Sequence, residues 1–244
     1  MYDGIVAHSK AEVREGMEAL GRGNPDAASK HFWNAMDCLA DVQDDRRRRD
    51  ELGPLAIYYV ALELYDLALI GAHDAIVLDK KLGQPRQLAE DIVTLGNANM
   101  RLGKMDEATE NYTEALQLCL DNGDYDNAAS ASTNLASILA NQDKMREATT
   151  LLRNSLDYLT KKPHPNTEKI TRMTLIQVLG LQKENPEELI DVAEKLLERF
   201  GHEIPRGMID TIRPYIDDAV EQYLKANPSI HPLKWKLAHF PRLY

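Results

Sequence analysis

Glu90, Thr94, Asn97 and Arg101 have counterparts forty residues on in Ser130, Asn134, Ser137 and Asn141. Each set of four is spaced to lie along one stripe of a helix. Their side chains end in hydrogen-bonding groups, and an asparagine amide offers both a donor and an acceptor. Such groups suit the backbone of an extended peptide that has no partner strand, so the chemistry they offer is recognition. Forty residues upstream the matching positions are Asp50, Pro54, Ile57 and Ala61, and before those Lys10, Arg14, Met17 and Gly21. The stripe therefore runs from apolar and basic at the N-terminal end to amide-rich in the middle, and Thr174 and Gln177 are its expected members in a fifth repeat. The candidate peptide-binding residues are Asn97, Arg101, Ser130, Asn134, Ser137, Asn141, Arg14, Met17 and Ile57. The competing reading is that these asparagines only solvate an exposed helix face.

Bond-making chemistry finds little support. The seven histidines show no HExxH or other paired ligand spacing, and His73 and His164 read as surface residues, so neither a metal nor a cofactor is expected. Gly21-Arg22-Gly23 is a fragment of a GxGxxG with no strand before it, which argues against a dinucleotide site. No serine sits in an elbow of glycines. No catalytic residue is assigned, and the chain is not expected to be an enzyme.

The elements that position the stripes come from an internal repeat. With Ala108 set on Ala148, Leu95 falls on Leu135, Gly96 on Ala136, Met105 on Met145, Tyr112 on Leu152 and Ala115 on Ser155. Small residues stand where two helices must approach closely, larger apolar ones fill the space a turn or two away, and Gly or polar residues form a tight turn between. Each unit is thus an antiparallel helical hairpin. The pattern resembles the tetratricopeptide repeat (TPR) through Leu95-Gly96, Gly103, Ala108, Tyr112 and Ala115, although Asn99 stands where that family has a large residue. The forty-residue period resembles the longer variety of kinesin light chains, Leu-Gly-Asn-type adaptors and bacterial peptide-pheromone receptors. In those families asparagines hold peptide backbones, and Asn134-Leu135-Ala136 and Leu95-Gly96-Asn97 match that motif in part.

The expected fold is all-α, a right-handed α-solenoid of four to five TPR-like hairpins with a C-terminal capping helix. Repeats are expected at about 9–48, 49–88, 89–128, 129–166 and 167–200, after a short lead over 1–8. A capping helix over 201–227 and a basic aromatic tail over 228–244 follow. Asn24-Pro25 and Asn185-Pro186 read as helix starts, with proline at the first helical position. Gly53-Pro54 is expected to break or restart a helix, leaving the first helix of the second repeat short.

At 244 residues and a formal net charge of −10, the chain is a poor match for a nucleic-acid backbone. No stretch approaches the roughly 18 apolar residues of a membrane span, and the N-terminus carries no secretory pattern, so a cytoplasmic location is expected. Cys38 and Cys119 suggest no disulfide framework. Arg46 to Arg49 fit either a phosphate or acidic-peptide site or internal pairing with the flanking acids. The tail, with Lys234, Trp235, Lys236, Phe240, Arg242 and Tyr244, can fold back on its own array or dock a partner or a second copy, so a homo-oligomer is possible. The function read from these features is a non-enzymatic protein- or peptide-binding adaptor that holds an extended segment in the concave groove. The alternative is a structural subunit docking by its convex face, its ends or its tail.

Overall fold

The computed structural model describes residues 2–240 and 243, with the backbone alone for Leu233, Lys234, Trp235 and Leu237. The described residues are all-α and fall into two compact units, Met1–Asp124 and Tyr125–Tyr244. In unit one, α1 (Tyr2–Gly21) pairs with α2 (Pro25–Asp37), α3 (Asp45–Ala61) with α4 (Tyr65–Leu82), and α5 (Pro85–Arg101) with α6 (Met105–Asp121). In unit two, α7 (Tyr125–Asn141) pairs with α8 (Met145–Lys161) and α9 (Pro165–Gln182) with α10 (Pro186–Phe200). There α11 (Arg206–Ala226) packs on α9 and α10, and a short α12 (Pro232–His239) follows. α1 begins at Tyr2, so the stretch expected as a lead is already helical.

The forty-residue period is written into the backbone. Gly23, Glu63, Gly103, Asp143 and Lys183 all have φ between 55° and 78°, one in the tight turn of each hairpin. The left-handed conformation there lets residues such as Leu64 and Lys104 donate back to Tyr59 O and Asn99 O at 2.9 Å, closing the first helix. A side chain in this region costs about 1–2 kcal/mol, which glycine escapes. Glu63→Gly is therefore expected to stabilise unit one by up to about 1 kcal/mol once the extra entropy of unfolded glycine is deducted. Urea titration checks this, and an unchanged midpoint would mean that the turn carries no such strain.

Helix pairing rests on size matching at the same period. A Cβ on Gly16 would lie 2.6 Å from the Phe32 ring and one on Gly96 2.9 Å from the Tyr112 ring, so glycine in the first helix is what admits an aromatic from the second. At the matching positions of the neighbouring hairpins stand Ala56 and Ala72, and Ala136 and Leu152, all fully buried. Asn24 accepts from Ala27 N at 3.1 Å and Asn185 from Glu188 N at 3.1 Å, each with proline at the helix start as expected.

Pro54 does not break its helix: α3 runs unbroken from Asp45 to Ala61. Proline removes one backbone bond and points outward, while Arg49, Leu52, Gly53, Ala56 and Tyr59 are buried along the inner side of both halves. Tertiary packing on that side outweighs the local preference. Gly53 also makes room for a buried ion pair, since a Cβ there would sit 3.0 Å from Asp91 Oδ1.

Three of the four arginines in the 46–49 run have partners within unit one. Arg49 Nε donates to Asp79 Oδ1 at 2.7 Å and Arg49 Nη2 to Asp91 Oδ2 at 2.8 Å, tying α3 to α4 and α5. Arg48 Nη2 reaches Asp74 Oδ2 at 2.9 Å, and the Arg47 guanidinium lies 4.6 Å over the Tyr2 ring. These arginines are engaged within unit one. The acids that pair with Arg48 and Arg49 are distant in sequence, not the flanking ones.

The tail packs on unit two. Phe240 is 1% exposed and, with Leu243, joins the core of α9, α10 and α11, while Arg213 Nη2 donates to Leu243 O at 2.8 Å. Arg242 and Tyr244, and the side chains of Lys234 and Trp235, lie outside the described residues. Cys38 opens a 3-10 turn that follows α2 rather than lying inside it, and both it and Cys119 are free thiols.

Candidate functional site: the open stripes of the first helices

In unit two, α7 is buried on nearly every side. Ala128, Ala129, Ala131, Ser132, Thr133, Leu135, Ala136 and Ile138 are all buried, while Ser130, Asn134, Ser137 and Asn141 reach the surface, as do Tyr125, Asp126 and Asn127 at the start of the helix and Leu139 and Ala140 near its end. The four residues that the repeat alignment puts on one stripe are all partly or fully exposed. Ser130 and Ser137 spend their hydroxyl protons on the carbonyls of Asp126 and Thr133, each at 3.1 Å. A hydroxyl oxygen keeps lone pairs after donating its proton, and an asparagine amide carries both donor and acceptor atoms.

α9 lies beside α7. Thr133 Oγ1 and Thr171 Oγ1 are 2.8 Å apart, Ser155 Oγ from α8 stands 2.9 Å from Thr133 Oγ1, and Ser130 Oγ is 3.2 Å from Thr167 Oγ1. This buried hydroxyl cluster fixes the two helices at one separation, with its members bonded to each other or to helix carbonyls. The open line of α9 is Ile170, Thr174, Gln177 and Leu181, forty residues after that of α7. Thr174 and Gln177 were expected. Ile170 and Leu181, 53% and 55% exposed, were missed, although the forty-residue spacing from Ser130 and Asn141 points to both. The face of unit two is thus an amide and hydroxyl line beside one with apolar ends.

In unit one the expected residues lie on three helices that neighbour one another in order. Lys10 Nζ of α1 is 3.5 Å from Glu51 Oε2 of α3, and Arg49 joins α3 to Asp91 of α5. Arg14 and Met17 are exposed on α1, Ile57 on α3 and Arg101 on α5. Between α1 and α3 a cleft of about 230 Å³ is walled by Val13, Leu39, Pro54, Leu55 and Tyr58, and Lys10 and Glu51 also line it. Thr94 departs from the expected stripe: it is buried, and its hydroxyl bonds Glu90 O at 3.1 Å. Asn97 is half-buried and accepts from the Tyr112 hydroxyl at 2.7 Å. Its amide is positioned by the core as well as turned to the open face, a double role that spacing alone does not reveal.

No close pair of titratable groups lies on these stripes, and the strongly shifted groups are elsewhere. Burial pushes the Tyr59 hydroxyl above its usual range, consistent with its bond to Phe32 O at 2.8 Å. Among the described residues, Glu12, Glu15 and His31 bring potential ligand atoms within 4.8 Å of one another, on the first hairpin. No helix among the described residues is long and apolar enough to cross a membrane.

Residues 91–161 match the family model of the tetratricopeptide repeat, in agreement with the resemblance carried by Leu95-Gly96, Gly103 and Ala108. Comparison with curated proteins gives no match. Several solved structures share the fold. Aspartyl phosphate phosphatase F from Bacillus subtilis superposes with a TM-score of 0.72 at 10% identity, over 92% of this chain and 61% of its own. A Rap protein complexed with Competence and Sporulation Factor gives 0.64 at 12% identity, over 90% and 64%. The nearly identical TPR-like repeats of a Podosopora anserina kinesin-light-chain protein give 0.58 at 14%, over 79% and 94%. The chain therefore spans less than two thirds of the length of the first two proteins. At these identities the likeness is one of fold.

Proposed function

We propose that this chain is a non-enzymatic, cytoplasmic adaptor that binds a protein or peptide, holding an extended segment of the partner along the open stripes of its first helices. The observation that carries the reading is α7, on which Asn127, Ser130, Asn134, Ser137 and Asn141 form one partly open polar line beside a run of buried residues. An asparagine amide carries both a donor and an acceptor and a serine oxygen keeps lone pairs after donating, the complement of a peptide backbone's own N–H and C=O groups. Ile170 and Leu181 on the adjacent stripe add apolar side-chain contacts, and Arg14, Met17, Ile57 and Arg101 serve in the same way within unit one. A Rap protein of this fold has been solved with a bound factor, which supports the reading by analogy. The competing reading, a subunit that docks by its outer face, draws on Trp33 and Val77, apolar and exposed on α2 and α4.

The test is selection of binders from a random peptide library on the intact chain, followed by affinity measurement on variants. Asn134→Ala combined with Asn141→Ala and Gln177→Ala is expected to weaken a selected peptide by about tenfold or more, since each lost hydrogen bond contributes on the order of 1 kcal/mol. Arg101→Ala samples unit one. Asn97 is unsuitable as a purely functional variant, because alanine there also strips the Tyr112 hydroxyl of its acceptor. Peptides that bind the triple variant as well as the parent would overturn the stripe reading, and loss confined to Trp33 and Val77 substitutions would favour docking by the outer face.

A further inference from the structure

We infer that Glu12, Glu15 and His31 form a binding site for a divalent transition-metal ion of the zinc class, which clamps α1 to α2. The two carboxylates sit one turn apart on α1 and the imidazole comes from α2. His31 Nδ1 lies 2.9 Å from Glu12 Oε2 and 3.6 Å from Glu15 Oε2, with all three ligand atoms within 4.8 Å of one another. Ligands bound to zinc at about 2.0–2.2 Å in a tetrahedron stand about 3.3–3.5 Å apart. The two measured separations bracket that edge, so small rotamer adjustments bring the atoms onto one ion.

A protonated His31 draws both carboxylates, Glu12 at hydrogen-bond distance and Glu15 at 3.6 Å, and two carboxylates held this close repel one another. A dication removes that repulsion. The surroundings also resemble those of a ligand set: Asn34 Nδ2 donates to Glu12 Oε2 at 3.2 Å and so orients the carboxylate, as outer partners of metal ligands do. With three protein ligands, water would fill a fourth position. One imidazole with two carboxylates favours zinc, cobalt or nickel over calcium or magnesium, which take oxygen ligands. Joining the helices of the first hairpin, the ion acts on stability and order rather than on a reaction.

The test uses the full chain stripped of metal. Zinc titration by calorimetry is expected to show one ion per chain, with a rise in the thermal midpoint, and cobalt(II) to give the visible absorption of a low-coordinate site. Glu15→Gln is the informative variant. Glu15 is half exposed, so the apo fold should keep its circular dichroism and melting profile while zinc affinity falls more than tenfold. Asn34→Ala is expected to weaken binding about tenfold through the outer contact, and His31→Gln to abolish it. Absence of stoichiometric uptake at submillimolar zinc would overturn the inference. So would uptake that Glu15→Gln and His31→Gln leave unchanged, which would place the ion elsewhere.

Discussion

Arg49→Met is expected to destabilise unit one by about 3–5 kcal/mol, the loss seen when one member of a buried ion pair is removed. Methionine can fill much of the space, so the cost is electrical: Asp79 and Asp91, both fully buried, would be left without a counter-charge. Hydrogen exchange of the α3 to α5 amides reads unit one separately from unit two. Arg46→Met, at an exposed position of the same run, is the control and should change little. Equal effects from the two substitutions would refute the argument.

The same pair predicts a pH dependence. Desolvation is the main cause that pushes the Asp91 carboxyl up to about 8; Arg49 pulls it down and the adjacent Asp79 carboxyl pushes it up again. Asp79 Oδ2 and Asp91 Oδ1 are the buried oxygens that Arg49 does not serve, and one proton between the carboxyls satisfies both. A carboxyl with a raised folded-state pKa binds its proton more tightly in the folded than in the unfolded chain, so stability from this group falls as pH rises. The contribution is full below the ordinary value of 3.8 and is lost by about pH 8. Asp91→Asn, whose amide mimics the protonated acid, should flatten that slope and leave unit one more stable than the parent at pH 8 to 9. A parent chain whose α3 to α5 protection does not fall between pH 5 and 9 would contradict this.

Phe240→Ala is expected to cost unit two about 3–5 kcal/mol, the range for removing a fully buried aromatic ring. The ring belongs to the core formed with Ile212, Ile216, Leu196 and Leu197, so its loss opens a cavity beneath α11. Thermal melting followed by circular dichroism checks it, and a shift no larger than that of an exposed substitution such as Met208→Ala would mean that the tail does not support the core. The same burial makes deletion of 228–244 a poor discriminator between a docking tail and a structural one, because it removes core residues whichever reading holds.

The period of the chain was legible because hairpin packing depends on residue size at fixed spacing. Gly96 aligns with Ala136 and Tyr112 with Leu152 at a spacing of forty, and in the structure the Tyr112 ring closes on Gly96 as Phe32 does on Gly16. Within unit two, Ser130, Asn134, Ser137 and Asn141 lie at helical spacing, and none of the four is buried. Local rules failed where a distant partner decided the outcome. Pro54 was expected to break a helix that buried side chains hold intact, and Thr94 was placed on a stripe although packing takes it inward.

Partnerships between residues remote in sequence belong to the tertiary structure alone. Arg49 finds Asp79 and Asp91 rather than the acids beside it, Asn97 accepts from Tyr112, and His31 comes to Glu12 and Glu15. The sequence by itself determined the hairpins, their period and the helix faces, because these depend on residue size and spacing within some forty positions. Only the tertiary structure decided which charges and hydroxyls meet, because a buried polar group takes the partner that packing brings within about 3 Å, wherever it lies in the chain.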